Sequence, residues 1–359
     1  MTRIRLAPLA AALLVSPLVH AQGVTVFGIA DAAIRRVENQ DRGSITSMVS
    51  GSNSTSRLGV RGTEDLGGGL FAGFHLEHGI LFDVGNPVSA TQFWDRRSTV
   101  SIGAKAWGEI RAGRDFVPSY NNWSRYDPFS YVGVAGANNF VNATPAGPIR
   151  SAFGSGGNTT VRSSNAVQWL LPQDLGGLNG EAMWAKREAG TAANGQHDLR
   201  GLRLGWAGKT FEVSAAATVT SNDLTQAIGS DFKDVALGGR VDFGVARVST
   251  VLRRFSLASA RQTQLLVGVW VPVGNGEIKA SYNQADLSGS VGSTAIGAND
   301  ARQFALGYVH TLSKRSVAYA TLSRIDNRGA ATYAVPGGPA GLAGGGRSTG
   351  VEFGVRHNF

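Results

Sequence analysis

The stretch STSRLGVRGTEDLGGG, residues 54–69, sets Arg57 and Arg61 against Leu58 and Val60 in strict alternation. Successive side chains of a strand point to opposite faces, so the apolar pair and the guanidiniums meet different surroundings. The same count places Glu77 opposite Phe74 and Leu76, Arg97 opposite Val100 and Ile102, and Arg162 opposite Val167 and Trp169. Arg96 falls on the other face from Arg97 unless a bulge reverses the order. A guanidinium is a permanent, weakly hydrated charge with a fork of donors, and a set of them in a confined, low-dielectric space attracts anions without any covalent step.

Little else in the chain offers chemistry. After residue 21 the histidines are His75, His78, His197, His310 and His357, with no metal-ligand spacing, and no GxSxG motif occurs. GVRGTEDLGGG superficially resembles a phosphate loop, but no helix-forming segment follows it, so it reads as a turn. No cofactor, metal or enzymatic activity is expected; a barrel hydrolase would need an acid and a histidine exposed together on one rim. Of 34 basic residues 28 are Arg, spread singly rather than in the patch or helix that nucleic-acid binders use.

The first 21 residues, MTRIRLAPLAAALLVSPLVHA, have a basic start, an apolar middle and a small-residue exit, the pattern of a cleaved secretory signal. The chain has no cysteine, so no disulfide supports the fold after export. In residues 22–359 no apolar run is long enough for a transmembrane helix. Instead, segments of about ten residues alternate polar and apolar. Strands are expected near 24–37, 54–65, 70–81, 94–106, 108–115, 161–171, 180–187, 198–207, 209–220, 232–243, 245–256, 261–272, 276–287, 301–312, 315–326 and 348–359. Tight turns such as DLGGG (65–69), FG (243–244) and VGNG (273–276) alternate with long polar loops at 82–93, 116–160, 288–300 and 327–347.

That asymmetry, with Leu, Val, Phe and Tyr on one face of most strands, implies an all-β, transmembrane antiparallel β-barrel of about sixteen strands. Lipid allows no unpaired backbone, so the sheet closes, and at this size it leaves an aqueous passage. A secreted β-sandwich or β-helix is the alternative, but it would carry charge where this chain carries Leu and Val. The 116–160 connection is far longer than ordinary loops and rich in aromatics (Tyr120, Trp123, Tyr126, Phe129, Tyr131), so it is expected to fold into the barrel and narrow it.

The segments VTVFGIADA (24–32), STSRLGVRGTEDLGGGLFAGFHLE (54–77), RRSTVSI (96–102), GEIRAGRD (108–115), ALGYVHTLSKRS (305–316) and GVRHNF (354–359) resemble the trimeric porins of Gram-negative outer membranes, most closely the anion-selective porins of β-proteobacteria. The middle third, 175–300, matches only in rhythm. The resemblance implies a homotrimer in the outer membrane, in contact with lipid and lipopolysaccharide, with its third loop inside the barrel. It implies passive diffusion of small hydrophilic solutes with a preference for anions; a substrate-specific channel is the alternative. It also implies a constriction cluster of Arg57, Arg96 and Arg162 with Glu77 as the acidic counterpart, and a terminal Phe359 read by the barrel-assembly machinery. Alternation favours Arg97 and the motif match favours Arg96; both are kept, Arg96 preferred. Arg61 and Asp127 complete the candidate set, Asp127 as one of few acids in a loop that cation-selective relatives line with carboxylates.

Overall fold

Period-two alternation becomes sixteen barrel strands in the computed structural model. It describes residues 23–141, 147–154, 157–188 and 197–359; the expected signal segment 1–21 lies outside the described residues, as do parts of the 116–160 loop. The strands are β1 Thr25–Asn39, β2 in two segments, Gly43–Ser50 and Arg57–Gly67, β3 Leu70–Leu81, β4 Arg97–Ala104, β5 Gly108–Phe116, β6 Arg162–Leu170, β7 Leu178–Ala185 and β8 Asp198–Ala207. They continue with β9 Phe211–Ser221, β10 Phe232–Asp242, β11 Arg247–Leu257, β12 Ala260–Val273, β13 Gly276–Ser288, β14 Ala301–Thr311, β15 Ser316–Asn327 and β16 Arg347–Asn358.

Each strand pairs antiparallel with its neighbour in sequence, and β1 closes on β16 from Ile29↔Asn358 to Asn39↔Ser348. Gly28 and Phe359 exchange backbone hydrogen bonds at 3.0 and 3.1 Å, so the seam reaches the last residue. Closure of this kind leaves no edge to be satisfied by lipid.

The packing is inside-out relative to a water-soluble protein. Val100, Phe304 and Phe353 are 63%, 53% and 62% exposed on the outer surface, whereas Gln264 and Gln303 on the inner surface are completely buried. Leu58 and Val60 belong to the outer face and Arg57 and Arg61 to the inner one: Arg57 pairs with the buried Glu77, and Gly59 lies under the Phe27 ring that Arg61 also approaches.

Two features differ from the sequence-based expectation. Residues 43–50, GSITSMVS, form the first half of β2 although their Ser and Thr content reads as loop. The chain then leaves the sheet at 51–56, where Asp31 accepts the backbone N–H groups of Ser52, Asn53 and Ser54 at 3.3, 2.9 and 2.7 Å. The first connection on the long-loop rim, 40–42, is correspondingly tight rather than long; 258–259, where the expected strands leave four residues, is tight as well, with Ala258 at φ +48°.

The long loop between β5 and β6 does fold into the barrel. It carries helix α1 Pro118–Ser124, a 3-10 turn Ala137–Phe140 and helix α2 Pro148–Phe153. Its buried aromatics, Trp123, Tyr126 and Tyr131, join Phe232, Val251, Phe255 and Leu266 of the inner wall in one apolar cluster. Glycines on alternate strands make room for it. A Cβ at Gly238 would stand 2.5 Å from the Tyr126 ring, one at Gly268 2.6 Å from Pro128, and one at Gly307 2.9 Å from Phe129.

Candidate functional site

Polar clamps hold this loop against the wall opposite β2–β5. Ser119 donates to Asp234 at 2.7 Å, and Asp234 also holds Arg253 at 2.7 Å. Asn121 donates to Glu181 at 2.8 Å, and Val134 N–H to Glu352 at 3.2 Å. Three inward carboxylates are thereby engaged by the loop or by a neighbouring arginine, since Glu181 also meets Arg203 at 3.4 Å and Glu352 meets Arg35 at 2.9 Å.

On the facing wall the balance is different. Glu77 of β3 is the carboxylate at the centre of a cationic group: Arg57 Nη1 lies 3.3 Å from it, His75 Nε2 lies 3.6 Å away, and Arg96 Nε is in direct contact. Arg57 is further fixed by the Thr55 carbonyl at 2.8 Å and the Ser54 hydroxyl at 3.3 Å, so the excursion of β2 at 51–56 orients it. Arg162 rests on the Phe116 ring, 4.4 Å from its centroid, within the range at which a guanidinium is attracted to an aromatic face. Phe116 in turn stacks on Tyr120 of α1 at 4.9 Å.

Tyr120 reports the convergence. Burial raises its phenol above the ordinary value, while Arg162, Arg96 and Arg57 each pull it back. Three guanidiniums from three separate segments therefore act on one loop hydroxyl. With Glu77 paired to Arg57 and Arg96, and Arg162 in no ion pair among the described residues, the group carries an excess of positive charge. Tyr120 was visible in the sequence only as one aromatic among several; nothing there marks it as the residue the arginines face.

The remaining candidates sort differently. Arg97 points inward as alternation requires, but it bonds Thr99 at 3.2 Å and pairs with Asp115 at 3.3 Å, beside Arg111, which pairs with Asp115 and Glu109. That row is charge-balanced. Arg96 precedes β4, so strand parity does not apply to it, and its side chain turns inward to Glu77. Arg162 reaches the cluster for a reason other than the count from Val167: the β5–β6 register shifts between Gly113 and Asp115, opposite Ser163–Ala166, with Asn165 at φ +55°, and that bulge breaks the parity.

Arg61 faces the lumen nearer the short-turn rim, exposed, with its guanidinium 5.1 Å from the Phe27 ring centroid and outside the cluster. Asp127 departs most from expectation. It is buried inside the loop, where its carboxylate accepts the N–H groups of Phe129, Tyr131 and Ala137 at 2.9, 2.9 and 3.1 Å. Burial pushes its pKa up and those amides oppose the rise. A carboxylate so enclosed organises the loop and offers no exposed oxygen to a passing ion.

Among the described residues no group of His, Cys, Asp or Glu is arranged to hold a metal. The profile of the Gram-negative porin family matches residues 8–330. The chain is 35% identical over 353 residues to outer membrane porin protein 32 of Delftia acidovorans, covering 94% of each. It is 27% identical to an outer membrane porin protein of Bordetella pertussis, covering 87% of this chain and 84% of that one. The solved structure of the anion-selective porin from Comamonas acidovorans superposes with a TM-score of 0.78 at 34% identity, covering 94% of this chain and 99% of that one.

Proposed function

The chain belongs to the Gram-negative porin family and resides in the outer membrane, and from that premise we propose that Arg57, Arg96 and Arg162 form an anion-attracting constriction in a passive diffusion channel. The observation that carries the proposal is the pairing of Arg57 and Arg96 with Glu77, next to Arg162 seated on the Phe116 ring that stacks on Tyr120, while Glu181, Asp234 and Glu352 are engaged elsewhere. An anion crossing between Tyr120 and β2–β4 exchanges part of its hydration for fixed positive charge, and a cation meets the same field as a barrier. Tyr120 and the rest of the inward loop set the width; the arginines set the sign.

The relatives are channels rather than enzymes, and the same reading is carried to this chain. Its finer partners follow as proposals: a homotrimer, outer-leaflet lipopolysaccharide around the apolar belt, and barrel-assembly machinery engaging Phe359. In a planar bilayer under a salt gradient, purified protein should give reversal potentials displaced toward chloride, and Arg57→Ala with Arg162→Ala should move them toward zero. Retention of the full preference in the double variant would remove these residues from the role.

A further inference from the structure

A second cationic site lies below the loop, toward the short turns, and shares no residue with the cluster around Glu77. It is a cavity of about 710 Å³ lined by Asn53, Asn275, Glu277, Lys279, Lys314 and Arg356 among others. Lys279 pairs in register with Gly307, the residue against which Phe129 of the inward loop packs, so the cavity begins where the loop ends. Lys314 belongs to the turn between β14 and β15, which sets the other end at the periplasmic mouth.

The charges here are unbalanced in a way that favours a multivalent guest. Arg247 contacts the carboxylate of Glu277 directly and lies 5.4 Å from the Trp270 ring centroid, so this acid is already neutralised. Lys279, Lys314 and Arg356 have no carboxylate within ion-pair distance among the described residues. Arg356 is held in place rather than free: its Nη1 donates to Asn53 Oδ1 at 2.7 Å, and Asn53 is itself tied to Asp31 through its backbone N–H at 2.9 Å. Its Nε is buried and without a partner. A fixed guanidinium lining the same cavity as two ammonium groups suits an oxyanion, which offers several acceptors and more than one charge.

We propose that this cavity is a binding station for small multivalent oxyanions, phosphate being the probe, on the periplasmic side of the inward loop. It rests on the reading of the chain as a channel, and it deepens that reading by placing a solute-retaining step after the constriction. Such a site binds weakly because it is open and wet, and it acts by slowing the exit of multivalent anions relative to chloride.

The test is single-channel current in dilute chloride with inorganic phosphate added to one side at a time. Phosphate should reduce the current saturably, with half-block at a lower concentration from the periplasmic side. Lys279→Gln with Arg356→Gln should raise the half-blocking concentration about tenfold, and Lys314→Gln, confined to an exposed turn and harmless to folding, about threefold. Equal block from both sides, or wild-type block in Lys314→Gln and in the double variant, would overturn the station. Block that disappears in Arg57→Ala but survives in Lys279→Gln with Arg356→Gln would overturn it too, assigning phosphate to the constriction. Absence of chloride preference in the wild-type channel is a separate failure, of the constriction alone, because it is read from reversal potential without phosphate.

Discussion

Arg96 grips Glu77 twice: its backbone N–H donates to the Glu77 carbonyl at 3.2 Å, and its Nε contacts the carboxylate of the same residue. The residue just before β4 is thereby fastened to β3 by main chain and side chain together, and the acid paired with Arg57 and Arg96 is held between them.

Glu77→Gln keeps the shape and removes the charge. A unit charge a few ångströms from a passing ion in wet surroundings is worth on the order of 1 kcal/mol, enough for a several-fold change in permeability ratio. Reversal potentials should shift further toward chloride than in the wild type. Arg57 and Arg96 would also lose the anion between them, so thermal unfolding of the variant in detergent should begin at a lower temperature.

The preference itself should depend on salt. The Debye length falls from about 10 Å at 0.1 M to about 3 Å at 1 M. The field of Arg57, Arg96 and Arg162 across a water-filled gap should weaken accordingly. Permeability ratios measured over that range should decline toward unity; a ratio independent of salt would mean that selection is by size.

Asp127→Asn separates loop order from pore charge. Three buried amides would exchange an anionic acceptor for a neutral one that also brings unwanted N–H donors, at a cost of about 1–3 kcal/mol in loop stability. Open-channel noise should rise, and the reversal potential should hardly move. A large loss of selectivity would instead place this carboxylate in the ion path.

Gly268→Val tests the seating of the loop. The new side chain would start 2.6 Å from Pro128, too close for either to remain. Overpacking of this kind costs about 1–3 kcal/mol, which the loop can relieve by lifting while the barrel stays closed. Conductance should increase and fluctuate, with the far-ultraviolet circular dichroism of the sheet unchanged.

The strands were legible because lipid enforces period-two alternation on every membrane strand, and 70–81 and 198–207 begin and end where the sequence places them. Segment 43–50 was not, since its pairing with β1 is supported by hydrogen bonds rather than by an apolar face. Arg57 and Glu77 could be assigned to the lumen by counting because β2 and β3 are regular between them. Arg96 could not, because it precedes its strand; for Arg162 the count names the side on which it is found, but a bulge intervenes and the count does not explain its place. Asp127 misled because composition reveals that an acid is present, not that three amides enclose it. Nothing in the spacing of Lys279, Lys314 and Arg356, which come from two strands and a turn far apart in the chain, announces that they share a cavity.

The clamps on the inward loop have an electrical consequence. Were the loop to swing away from β7–β16, Glu181, Asp234 and Glu352 would lose Asn121, Ser119 and the Val134 amide, all neutral donors, while Arg203, Arg253 and Arg35 stayed at their sides. The gaping form would therefore keep the net charge of the narrow one and forfeit only closeness: ions would pass farther from the guanidiniums of the opposite wall, so throughput would rise as discrimination faded toward neutrality rather than reversed.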